Sequence, residues 1–187
     1  MILRTASLLL AFASITSIAL GVVDSEAFQD FLEDCSDGKL KNVEEAIAAN
    51  PTWASETSAD GETCLHVAGI HGQIEITKHL MKLGVDPNLL THMIEDPEDG
   101  PIQMHALSWH VFGGHYESAK LLLEHGADPN QLMDSLTNEK ERVTVLDMLE
   151  ELLAEEDLDD IPEEEIAPFI KMKELLIQNG AKRRDEL

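Results

Sequence analysis

Two segments of this chain are near copies: KHLMKLGVDPN at 78–88 and KLLLEHGADPN at 120–130. Each closes a stretch bounded by two glycines, since Gly72 to Gly84 and Gly114 to Gly126 both span 12 residues. A short pattern that recurs in this way cannot bury its apolar face alone, so the copies must stack and cover one another. That restricts the chain to an array of similar units. Its 187 residues, 43% of them hydrophobic, suffice to bury such a core.

The residues around each glycine predict a helix pair. Thr63 caps the first helix through its hydroxyl, Leu65 and Ala68 share one face of it, and Gly72 ends it where a left-handed residue is needed. Ile74, Leu80 and Met81 form the stripe of the second helix, and Gly84 caps it. The next copy opens HALSWHVFGGH, with Leu107 in the leucine place, Ser108 in the following polar place, and Trp109 and Phe112 adding bulk. Gly114 and Gly126 end its helices. Upstream, Gly38 and Asn50 stand 12 apart and predict helices over Phe28 to Cys35 and Asn42 to Ala49, with Asn50 as a left-handed cap and Pro51 as the stop. Downstream, Thr144, Leu146 and Asp147 open a further helix, while Ile170, Leu175, Leu176 and the cap Gly180 close the last.

Residues 60–88 resemble the ankyrin repeat. Thr63, Leu65, His66, Ala68, Gly72, Gly84, Asp86 and Asn88 match that pattern, with Cys64 in place of a proline and Gly69 in place of an alanine. The second copy matches at Gly126, Ala127, Asp128 and Asn130. The resemblance implies an all-α solenoid of about four helix-pair units with hairpin fingers, over residues 28–182 and clearest at 60–88 and 105–130. It also implies a protein-interaction module without chemistry of its own, and a fold-supporting role for His66.

Two insertions interrupt the array. Gly72 to Gly114 is 42 residues, against a family period of about 33, and the excess falls in the finger between Asn88 and His105. Met93, Ile94 and Ile102, rimmed by Glu95 and Asp96, are the expected partner-binding residues there, with Met104 on the arm and Trp109 close by. The second insertion, 150–165, holds 10 acids in 16 residues and reads as a solvated loop.

Charge narrows the partners. The net charge of −24 repels phosphate backbones, which excludes nucleic acid and favours a basic protein partner. Asp157, Asp159 and Asp160 lack the alternation and turn glycine of an EF-hand, so any calcium binding is weak and diffuse. The pairs His66 with His71 and His105 with His110 are five apart and point to different helix faces, which argues against a metal site. No nucleophile elbow or phosphate-binding glycine loop occurs, so neither catalysis nor a cofactor is expected. The alternative function is an acidic cation-buffering or chaperone-like protein acting through charge.

The ends read as addresses. Residues 1–21 carry one base, Arg4, then an apolar run and the small residues Ala19 and Gly21, the layout of a cleaved signal peptide; cleavage after Ala27 is the second choice, and an uncleaved anchor the alternative. Arg184, Asp185, Glu186 and Leu187 resemble the Lys-Asp-Glu-Leu signal for retrieval to the endoplasmic reticulum. Residence in its lumen is expected, with no stable membrane insertion once the signal is removed. Cys35 and Cys64, placed on packed helices with axes about 10 Å apart, are expected to be free thiols.

Overall fold

The computed structural model describes residues 25–92, 103–135, 141–154 and 162–187. Among these are four helix pairs: α1 (Glu26–Ser36) with α2 (Leu40–Ala49), α3 (Cys64–Ile70) with α4 (Ile74–Leu83), α5 (Ala106–Phe112) with α6 (Tyr116–Glu124), and α7 (Val145–Leu153) with α8 (Glu163–Gln178). The first helices stack in the order α1, α3, α5, α7, and the second helices as α2, α4, α6, α8. The fold is an all-α solenoid. Among the described residues the sheet is a single two-residue pairing of β1 (Met133–Asp134) with β2 (Arg142–Val143), antiparallel with Met133 opposite Val143.

The same local chemistry builds each pair. Thr63 and Thr144 accept from backbone N–H groups of α3 and α7, and His66 and Asp147 reach back to the cap N–H in turn. In the third unit His105 does this work, its Nδ1 accepting from the Ser108 N–H at 3.1 Å. At the far ends Gly72, Gly84, Gly114, Gly126 and Gly180 all have φ between +68° and +93°. The residue after each second-helix glycine then donates to a carbonyl five residues back: Val85 to Leu80, Ala127 to Leu122, Ala181 to Leu176. Leu80, Leu122 and Leu176 are wholly buried, so one leucine per unit anchors both the cap and the core.

The units are tied along two lines. Asn88 spans from the second unit to the third, donating to Gly126 O at 3.1 Å and accepting from Asp128 N–H at 2.8 Å. Asn130 repeats this toward the fourth, with Gly180 O at 3.1 Å and Lys182 N–H at 2.8 Å. The other line runs past the first-helix glycines. Gln73 lies over Gly38 and donates to Ser36 O, and His115 lies over Gly72 with Nε2 3.1 Å from Ile70 O.

Several expectations are corrected. Cys35 and Cys64 form a disulfide, with Cα atoms 5.5 Å apart, and among the described residues no cysteine is free. The axis spacing misled: two helices about 10 Å apart, each with a Cα radius of about 2.3 Å, bring facing Cα atoms to about 5.4 Å. Asn50 is not left-handed, at φ −133°, because Pro51 pushes the preceding residue toward extended backbone. Ile170 does not join the buried stripe of α8; it is 49% exposed, and Met172 takes that place beside Leu175 and Leu176. The acidic stretch 150–165 is partly helical, since 150–153 belong to α7 and 163–165 to α8; its centre, 155–161, lies outside the described residues.

Candidate functional site

The finger edge is built by the loops before each first helix. In the first of them, Ser58 is buried and its hydroxyl accepts from the N–H groups of Asp60 and Glu62, which forces a tight turn through Gly61. The imidazole of His92 occupies the space where a side chain on Gly61 would stand, and the His92 N–H donates to Asp60 O at 2.8 Å. Burial, with Asp60 beside it, pushes the Glu62 carboxyl up to about 7.

In the second finger, residues 90–92 and 103–105 form paired arms. Leu90 pairs with His105, Thr91 N–H donates to Met104 O at 2.8 Å, and the Thr91 hydroxyl accepts from Met104 N–H at 3.0 Å. Gln103 then exchanges two bonds with the third finger: it donates to Asp134 Oδ2 at 2.6 Å, and its carbonyl accepts from Asp134 N–H at 2.9 Å. Arg142 closes the third finger, with Nε 3.2 Å from Asp134 Oδ1 and a second contact on Leu132 O. Three consecutive fingers are therefore joined backbone to backbone.

Of the expected partner-binding residues, Met93, Ile94, Glu95, Asp96 and Ile102 lie outside the described residues. The sixth, Trp109, is not a surface group, and neither is Met104 of the nearby arm. Trp109 and Met104 are each only 4% exposed, and every residue of α5 is buried.

Three of the histidines, His66, His105 and His110, serve the interior. His66 Nδ1 accepts from Thr63 N–H at 3.1 Å while Nε2 faces Leu89 O at 3.1 Å, tying α3 to the second finger. Burial holds His66 and His105 down to about 4 and His110 down to about 3. Among the described residues, neither ring nitrogen of His110 makes a well-formed hydrogen bond, and the backbone of Leu65 is the polar group that faces the ring. Among the described residues, no group of three or more His, Cys, Asp or Glu side chains is arranged to hold a metal ion, and no helix is long and apolar enough to cross a membrane.

The tail residues Arg184, Asp185 and Glu186 form a 3-10 turn against the fourth unit, and Leu187 is 61% exposed. Sequence reasoning had missed this placement. Its signal was the pair of bases Arg183 and Arg184 beside a unit whose first helix carries Glu150 and Glu151 in its last turn.

A family model described as ankyrin repeats, in three copies, matches residues 32–133, more than half of the chain. No curated protein matches it. The matched span runs from α1 through β1, and so covers the disulfide, the Asn88 tie and the first two fingers.

Proposed function

Since the chain belongs to the ankyrin-repeat family, we propose that it is a non-enzymatic protein-interaction module working in the lumen of the endoplasmic reticulum. The observation that carries the binding reading is the row of joined fingers. Bonds from His92 to Asp60 and between Asp134 and Gln103 hold three loops in fixed register. A partner docking there meets a preorganised edge and loses little free energy in ordering it. Its chemistry is a basic rim around apolar contacts, because the exposed Asp60 stands on the edge and the segment MIEDPEDGPI at 93–102 adds four acids to three large apolar residues.

The luminal reading is supported by three features. The sequence of residues 1–21 has the layout of a secretory signal, and cleavage after Gly21 leaves intact the Ser25 cap of α1, which cleavage after Ala27 would remove. Arg184–Leu187 resembles a retrieval signal. The Cys35–Cys64 disulfide suits an oxidising compartment.

Two variants test the reading. Replacing 93–102 by a short ankyrin-like turn is expected to preserve folding and reduce the set of proteins captured by luminal proximity labelling. An unchanged set would exclude the finger as the contact. Deleting Asp185 to Leu187 is expected to move the protein from cells into medium, and unchanged retention would exclude the address.

A further inference from the structure

The tail does not trail away from the last helix. After Gly180 it turns back over α7, with Ala181 buried and the Thr144 hydroxyl donating to Lys182 O at 2.8 Å. Arg183 grips Glu150 with two bonds, Nε at 2.6 Å and Nη2 at 2.9 Å, and Lys173 reaches the same carboxylate at 2.8 Å. Bonds from Arg183, and less so from Lys173, hold the Glu150 carboxyl below the usual carboxylate range. Arg184 then commits both ends: its N–H donates to Asp147 Oδ2 at 3.0 Å and its guanidinium lies 3.3 Å from Glu141. Arg183 N–H donates to Glu186, and Leu187 N–H to Arg184 O, which folds the segment into its turn.

The counterparts of Glu150 and Glu151 in the second and third units are Gly69, Ile70, Val111 and Phe112, which the following unit helps to cover. On the fourth unit the two acids and the basic tail take that place. The tail is thus part of the end cap.

We propose that the notch formed by Glu141, Asp147 and Glu150 is a dock for the chain's own Arg183–Arg184 tail, and that docking withholds the Arg184–Leu187 tetrapeptide from the receptor that reads it. The proposal rests on the luminal reading above. A receptor that recognises four consecutive residues must reach the Arg184 guanidinium and an opened backbone, and both are engaged in the docked tail. The ion pairs are half-exposed and salt-screened, so the tail exchanges between docked and free forms. Retrieval then runs at the receptor's intrinsic affinity scaled by the free fraction.

The test uses the full chain with Glu141→Gln and Glu150→Gln together, which leaves the tetrapeptide unaltered. Removal of Leu187 by a carboxypeptidase, followed by mass, is expected to quicken on the order of fivefold, as the loss of about two such pairs implies. In cells expressing enough protein for some wild type to escape, the variant is expected to escape less. Deletion of Asp185 to Leu187 is the third arm and is expected to escape more than either. If the deletion raises escape while the paired variant matches wild type in cleavage and escape, the dock is overturned and the address stands. If the deletion changes nothing, the address fails and the regulatory role fails with it. Arg183→Lys, which keeps the cation but loses the two-pronged grip, replaces the paired variant if that variant does not fold, and the same outcomes decide.

Discussion

Gly69 and His110 are shaped to each other: a Cβ on Gly69 would stand 2.7 Å from Cδ2 and 2.9 Å from Nε2 of the buried imidazole. Gly69 lies inside α3, where alanine would by itself favour the helix by about 1 kcal/mol. The ring reverses that preference. Gly69→Ala is expected to destabilise the protein by about 1–3 kcal/mol through overpacking, and to be neutral or stabilising in a His110→Ala background. A double-mutant cycle by urea unfolding measures the coupling; simple additivity would show that the contact carries no weight.

Gly126 offers the opposite case. Its φ is +93° and nothing lies within 4 Å of a Cβ placed there, so substitution costs only backbone strain. Gly126→Val is expected to cost about 2 kcal/mol or more. Glu124→Ala, two residues away on an exposed face with Lys120 at 3.9 Å, is expected to stay within about 0.5 kcal/mol. Thermal midpoints separate the two, and equal midpoints would contradict the cap.

The Cys35–Cys64 bridge closes a loop of 29 residues between the first and second units. Chain-entropy reasoning gives such a link roughly 3–4 kcal/mol. Replacing both cysteines with serine is expected to lower the urea midpoint accordingly, and added reductant should shift the wild type but not the variant. A wild type indifferent to reductant would remove the bridge from the stability account.

Acid should loosen the joint between the second and third units. His66, His105 and His110 have folded pKa values of about 4, 4 and 3, below the ordinary value of 6.5. The unfolded chain therefore binds more protons below pH 6.5. Stability from these groups is complete above that pH and falls as pH drops from 6.5 toward 4, by roughly 1 kcal/mol per histidine between pH 6.5 and 5.5. Glu62 runs the other way: its pKa is raised to about 7, so its contribution is present at low pH and lost as pH rises from 4.5 through 7. Glu62→Gln is expected to stabilise by about 3 kcal/mol at pH 7.5, with the gain falling below about 1 kcal/mol near pH 5. Midpoints across pH 4–8 check both slopes, and a Glu62→Gln gain independent of pH would remove the carboxyl as the cause.

What the sequence disclosed was local. Thr63, Thr144 and the spaced glycines act within one turn of chain, and Leu80, Leu122 and Leu176 sit four residues before their caps, so spacing alone located the helices. What it hid depends on partners far along the chain. The two cysteines meet only because α1 and α3 face each other, and Arg183 finds Glu150 across 33 residues. Trp109, expected among the partner-binding residues, is 4% exposed. Its burial follows from α5 being enclosed within the stack, which no pattern in seven residues reveals.

The bridge also gives the array a direction. The first two units are joined by a covalent bond, whereas the third and fourth adhere through Asn130, the Gly114–Phe169 contact and apolar packing. Drawn apart by its two ends, the solenoid would unravel from the fourth unit backward, and 29 residues of its contour would stay locked until a reductant arrived. Force and redox state therefore act on opposite ends of one molecule. A pulling experiment would register that difference as a shorter final extension in the oxidised protein.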